Sequence, residues 1–91
     1  MIFHIQGTVS RVLDRGFELQ TTGGLTTVTT QTAGADLGLR PGDAVEVLGG
    51  PDGRAHFASS AAFKILPAGR RIEIPVNAWR PPPETPGPPP R

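Results

Sequence analysis

The sequence contains no cysteine, one tryptophan and four phenylalanines among its 91 residues. The absence of cysteine excludes disulfide bonds, thiolate metal sites and cysteine nucleophiles. The segment Met1–Gln6 has neither a basic region nor a continuous apolar region, so it does not predict a signal peptide. No apolar run approaches the length of a membrane span. We therefore expect a cytoplasmic protein that does not bind a membrane.

The net charge is only +1, and the charged residues are unevenly distributed along the chain. Residues 1–65 carry five basic and six acidic side chains, whereas residues 66–91 carry four arginines and two glutamates. Any field that attracts anions must therefore come mostly from the C-terminal part of the chain.

Glycine and proline are abundant, with 12 and 11 residues. The glycines occupy separate turn-like positions, whereas seven of the prolines lie within residues 81–91. This distribution predicts one small domain at residues 1–66, an extended segment at residues 67–80 and a proline-rich tail at residues 81–91. A body of about 65 residues is small enough for its stability to be marginal.

Apolar and polar residues alternate along most of the body, as in strands that bury one face. Turn-forming residues separate five such segments, and the pattern predicts strands at Phe3–Ser10, Phe17–Gln20, Leu25–Thr30, Ala44–Val47 and His56–Ile65. The aromatic residues of these strands fall in register with the apolar positions. We therefore predict core positions for Phe3, Phe17, Phe57 and Phe63.

Three local features add detail to this pattern. Gly7 allows the first strand to bend as it passes from one side of a barrel to the other. Residues 32–37 are expected to form no more than a single helical turn, because Gly34 and Gly38 disfavour a longer helix. Pro41 and Gly42 predict a type II turn with a positive φ at the glycine. In the strand that follows, we expect Val45 and Val47 to face the core.

Four segments carry a resemblance to a known fold: Gly7-Thr8-Val9, Phe17-Glu18-Leu19, Leu37–Val47 and Ala55–Ile65. Over about Phe3–Leu66 the chain resembles the OB-fold, and it is similar to small bacterial OB-like domains of unknown function and, more distantly, to molybdate-binding barrels. The predicted fold is all-β: a five-stranded OB-like Greek-key barrel followed by an extended proline-rich C-terminal tail. An SH3-like barrel is the alternative.

The OB resemblance implies a binding module for single-stranded nucleic acid or oligosaccharide, with the ligand lying across the second and third strands. We expect a non-catalytic binding module whose ligand is single-stranded nucleic acid. The residues that would contact phosphate are Arg11, Arg15, Arg54, Lys64, Arg70 and Arg71. The predicted groove offers Glu18, Gln20, Thr27 and Thr29, which form hydrogen bonds but do not stack on bases.

The sequence gives no support for catalysis. His4 and His56 are the only histidines, and no spacing typical of metal ligands accompanies them. The sequence also lacks a nucleophile elbow, a phosphate loop and a pair of neighbouring carboxylates. We therefore predict that the protein is not an enzyme and has no cofactor, no catalytic residue and no bound metal.

The alternative function is that of a protein-interaction subunit or adaptor. Within Arg70–Val76, the residues Ile72, Ile74 and Val76 share one parity and predict a sixth strand, which Pro75 restricts to a sheet edge. Beyond this strand, the prolines favour a polyproline II conformation that can bind an aromatic-lined groove. The residues predicted to contact such a partner are Trp79, Arg80, Pro83 and Pro86.

Overall fold

A computed structural model describes residues 1–78 of the chain. It contains six strands: β1 (Phe3–Leu13), β2 (Gly16–Thr21), β3 (Gly24–Thr29), β4 (Ala44–Pro51), β5 (His56–Ile65) and β6 (Arg71–Ile74). Two short 3₁₀ turns, Gly34–Asp36 and Pro67–Gly69, are the only helical elements of the described part. No helix in residues 1–78 is long and apolar enough to cross a membrane.

The strands form a closed five-stranded barrel with one additional strand. Their order is β3-β2-β1-β4-β5-β6, and a parallel pairing between β3 and β5 closes the barrel. All other neighbours pair antiparallel. The predicted all-β class and five-stranded barrel are confirmed, and the architecture is consistent with either an OB-like or an SH3-like barrel.

Strand β1 bends as expected, and it serves both sides of the barrel. Its first part, from Phe3 to Thr8, pairs with β4, and its second part, from Thr8 to Leu13, pairs with β2. A Cβ atom at Gly7 would collide with the backbone carbonyl of Gln20 on β2. Glycine at this position therefore allows β2 to approach the bend closely.

The turn before β4 also has its predicted form. Gly42 has a φ of 96°, and the Asp43 N–H donates to the Arg40 carbonyl over 3.1 Å. The turn is tied to β1, because Val9 N–H donates to the Asp43 carbonyl (2.9 Å) and Gly42 N–H donates to the Val9 carbonyl (2.8 Å). The valines that follow on β4 are fully buried, as predicted.

Two of the four predicted core phenylalanines are not in the core. Phe17 and Phe57 are buried, but Phe3 is 46% exposed, and the outer-face residue Phe63 is only partly buried. The cause for Phe63 is a bulge in β5, where the register with β4 jumps past Ser60. The extra residue reverses the alternation, so Ala62 enters the core and Phe63 turns outward. For Phe3, the cause is its position as the first residue of β1, where the pairing with β4 begins.

The chain segment after β5 is built into the barrel. Strand β6 pairs antiparallel with β5, which confirms the predicted sixth strand. Ile74 and Val76 join the same buried cluster as the barrel residues. The Val76 carbonyl accepts hydrogen bonds from the backbone N–H groups of Gln31 and Thr32, at 2.9 and 3.2 Å. The Thr32 hydroxyl donates to the Pro75 carbonyl and accepts from the Ala78 N–H, at 2.8 Å in the second case.

Candidate binding surfaces

The six cations predicted to contact phosphate form two groups by their place in the fold. The first group consists of Arg11 on β1, Arg15 in the turn between β1 and β2, and Arg54 in the turn between β4 and β5. The second group consists of Lys64 on β5, Arg70 directly before β6, and Arg71 on β6. Three of the six, Arg11, Lys64 and Arg71, lie beside carboxylates.

The outer face of β2 and β3 is polar and nearly neutral. Arg11, Glu18, Thr27 and His56 follow one another across neighbouring strands in register. The Arg11 Nε lies 3.5 Å from a carboxylate oxygen of Glu18, so the carboxylate partly neutralises this arginine. Within the described part of the chain, no aromatic side chain lies on this face except the imidazole of His56. The face therefore offers hydrogen-bonding groups without a platform on which bases stack.

Two arginines lie at the borders of this face. Arg15, in the turn between β1 and β2, donates from Nη1 to the Gln31 carbonyl over 2.8 Å. Arg54, in the turn between β4 and β5, has no side-chain hydrogen bond or ion pair to any residue within 1–78. These positions agree with the loops expected to flank an OB-like groove. They supply two positive charges that no carboxylate in the described part neutralises.

Two cations of the second group are used within the fold. Lys64 Nζ lies 3.3 Å from the Asp43 carboxylate. Arg71 forms a two-point ion pair with Glu46, with Nη1 2.8 Å from Oε1 and Nη2 2.9 Å from Oε2. Arg70 is exposed. Two of the three predicted phosphate contacts in this group thus neutralise carboxylates of the barrel itself.

Glu46 is the centre of a hydrogen-bond network on the outer face of β1, β4 and β6. Its side chain is only 6% exposed, although it points away from the barrel core. His4 Nε2 lies 2.6 Å from Oε2, and the Gln6 amide donates to the same oxygen over 3.0 Å. An ionised carboxylate only accepts hydrogen bonds, so His4 Nε2 carries the shared hydrogen. With the ion pair to Arg71, three side chains from two other strands converge on one carboxylate.

The network favours the ionised form of Glu46. The hydrogen bond from His4 has the largest effect and lowers the pKa of Glu46. Burial raises this pKa, whereas the hydrogen bond from Gln6 and the charge of Arg71 lower it. The pKa of Glu46 is therefore below its usual value of 4.5. The sequence places Glu46 opposite the core-facing valines but contains no signal for its partners. His4 and Glu46 are 42 residues apart, and only the pairing of β1 with β4 makes them neighbours.

Arg71 also connects β6 to the barrel across β5. Its guanidinium lies 5.8 Å from the centre of the Phe63 ring, in the geometry of a cation–π contact. Phe63 stands on β5 directly opposite Glu46 on one side and Glu73 on the other. The outward turn of Phe63 therefore provides the surface over which Arg71 reaches Glu46.

The second edge of β6 is unpaired within residues 1–78. Strand β6 pairs with β5 alone, and it is the last strand of the sheet order. Ile72 is 48% exposed, and Glu73 is exposed without a hydrogen-bond or ion-pair partner in the described part. The backbone groups along this edge are available to another strand.

An open cleft lies where β1 separates from the hairpin of β2 and β3. Its two adjoining parts have volumes of about 400 and about 360 Å³, and Gln6, Thr21 and Thr22 line both. Two of its polar side chains form hydrogen bonds within the fold: the Thr21 hydroxyl donates to the Gly24 carbonyl over 2.9 Å, and the Gln20 amide donates to the Thr21 carbonyl over 3.1 Å.

The two histidines are not brought together. His4 belongs to the Glu46 network on β1, whereas His56 begins β5 beside Thr27. Among residues 1–78 there is no group of three or more histidine, aspartate or glutamate side chains arranged to hold a metal ion. The predicted partner contacts Trp79, Arg80, Pro83 and Pro86 lie outside the described residues.

Comparisons with protein-family models, with curated proteins and with solved structures find no match for this chain.

Proposed function

We propose that this chain is a non-catalytic binding module whose partner is a protein that adds a strand along the free edge of β6. The observation that carries the proposal is that one edge of β6 has no paired strand among residues 1–78. In strand addition, the backbone hydrogen bonds supply affinity, and alternate side chains supply specificity.

The anchoring of β6 supports this choice. Ile74 and Val76 are nearly fully buried, and Arg71 is held by Glu46 through two contacts. An edge that is already ordered costs a partner less conformational entropy than a segment that orders on binding. These contacts therefore pre-organise β6 as a template for pairing.

The distribution of cations argues against nucleic acid as the main ligand. Three of the six predicted phosphate contacts, Arg11, Lys64 and Arg71, lie beside carboxylates. If only the remaining three, Arg15, Arg54 and Arg70, contact phosphate, the slope of log K against log salt for a single strand is about −2.1, compared with about −4.2 for six contacts. Such a ligand would bind weakly at physiological salt.

The test uses the full chain labelled with ¹⁵N and two kinds of ligand. Peptides are selected from a displayed random library, and a scrambled version of each serves as its control. We expect a selected peptide to shift the amide resonances of Arg71–Ile74 and of the facing residues on β5. In parallel, a single-stranded oligonucleotide is titrated at about 50 and about 200 mM salt.

The peptide and oligonucleotide titrations together test whether the ligand is a protein strand or a nucleic acid. Peptide-induced shifts confined to β6 and β5 support the proposal. Failure to select any peptide that shifts β6 overturns it, as does tight oligonucleotide binding with shifts centred on Thr27 and His56. The second outcome would restore the nucleic-acid function on the face of β2 and β3.

A further inference from the structure

The free edge of β6 carries one positive and one negative side chain, Arg71 and Glu73, so two copies of this edge can pair with opposite charges facing each other. Arg71 and Glu73 lie on its outer face, since Glu73 is opposite the outward-facing Phe63 on β5. Ile72 and Ile74 lie on the other face, since Ile74 is opposite the buried Ala62. We propose that the partner of this edge is a second copy of the chain, with the two β6 strands pairing antiparallel about a twofold axis. This inference rests on the proposed function, because it names the partner of the same edge.

Symmetry leaves three registers in which outer-face residues oppose one another. Directly opposite residues of an antiparallel pair lie on the same face, and a twofold axis makes every contact reciprocal. Arg71 can therefore face its own copy, Glu73 can face its own copy, or Arg71 can face Glu73 of the second copy. The first two registers oppose like charges. The third forms two pairs of opposite charges and places Ile72 against its own copy on the other face.

The side chains that would meet in the third register, Arg71, Glu73 and Ile72, are exposed and have unused donor, acceptor or apolar surface. Arg71 uses two of its five N–H donors on Glu46, and its side chain is 53% exposed. Glu73 is exposed and has no side-chain partner among residues 1–78. Ile72 is 48% exposed, and a facing isoleucine would cover apolar surface that is now in water.

The tail is a poor alternative occupant of the edge. Seven of the eleven residues at 81–91 are proline, and proline has no N–H to donate to a ladder. A four-residue edge also buries less area than the roughly 1,200 Å² of the smallest standard interfaces. We therefore expect a weak dimer, with a dissociation constant on the order of 100 µM.

The experiment is sedimentation equilibrium on the full chain from about 10 µM to about 1 mM. Wild type is compared with Glu73→Arg, which places like charges opposite Arg71 twice in the symmetric register. Asp52→Arg is the matched control, because it makes the same change of charge in the exposed turn between β4 and β5. We expect Glu73→Arg to raise the dissociation constant at least about tenfold, and Asp52→Arg to leave it unchanged. Circular dichroism establishes that each variant is folded.

A second measurement does not depend on any variant. In the wild type, the amide resonances of Arg71–Ile74 should shift with protein concentration, and higher salt should reverse the shift. A protein that remains monomeric at the highest concentration overturns the self-pairing, as does a dimer that both variants weaken equally. If the monomer still shows peptide-induced shifts on β6, only the second copy is excluded as partner. If those shifts are also missing, the proposed function fails as well.

Discussion

Replacing Glu46 by glutamine should destabilise the barrel by about 2 kcal/mol. The substitution keeps the shape of the side chain but removes the charge that accepts hydrogen bonds from His4, Gln6 and Arg71. Hydrogen bonds to a charged group each contribute about 1.5–3 kcal/mol, and breaking a buried ion pair costs about 3–5 kcal/mol. Because His4 and Arg71 are half exposed, water satisfies them in the variant. We therefore expect a loss of about 2 kcal/mol, which is less than the cost of breaking a fully buried ion pair.

Thermal and urea unfolding, followed by far-ultraviolet circular dichroism, measure this change. For a chain of this size, about 2 kcal/mol corresponds to a fall in Tm of about 8–16 °C. Asp52→Asn is the matched control, since it removes a carboxylate charge from an exposed turn, and it should stay within about 0.5 kcal/mol of wild type. A similarly small loss for Glu46→Gln would refute the structural role assigned to the network.

The pH dependence of the same variant provides a second check. The pKa of Glu46 in the folded protein is lowered below 4.5, so its contribution to stability is fully present above that pH. The contribution disappears as the pH falls through the lowered folded-state pKa, because the carboxylate is then protonated in both states. The difference in unfolding free energy between wild type and Glu46→Gln should therefore narrow in acid. A difference that stays constant from neutral pH to about pH 2 would contradict the assignment.

Four further substitutions test the fold. Gly7→Ala forces a Cβ against the Gln20 carbonyl and should destabilise the protein by about 1–3 kcal/mol in urea unfolding; an unchanged midpoint would refute the close approach. Thr32→Val removes the hydroxyl that joins the C-terminal segment to the barrel and should cost about 1–3 kcal/mol, with faster amide exchange at the end of β6. Phe57→Ala should cost about 3–5 kcal/mol and Phe63→Ala clearly less, because only Phe57 is in the core; equal losses would argue against the bulge at residue 60.

Local sequence chemistry predicts the turns and the strands well. The proline and glycine before β4 set the backbone angles of a type II turn regardless of what surrounds it. Period-two alternation also identifies every strand, including β6, because a half-buried strand imposes that period wherever it lies. The predicted ends are less accurate: β1 continues to Leu13 and β4 to Pro51, where pairing with neighbours extends strands beyond the regular alternation.

Alternation fails where the tertiary structure inserts an extra residue. Phe63 belongs to the apolar parity of its strand in the sequence, yet the bulge at Ser60 moves it to the outer face. A bulge is fixed by the match between two strands, so one strand alone does not reveal it. The sequence predicts Arg71 as a phosphate contact because it shows the positive charge but not the carboxylate partner, which lies 25 residues away.

The sequence by itself determined that this protein is a small all-β domain with five strands and an edge strand, because turn chemistry and alternation act over a few residues. Only the tertiary structure decided where its charges are used. Strand pairing placed His4, Glu46 and Arg71 in one network and set Arg11 and Lys64 beside carboxylates of other strands and turns. Electrostatic interactions depend on distance in space, and those distances exist only once the barrel has closed.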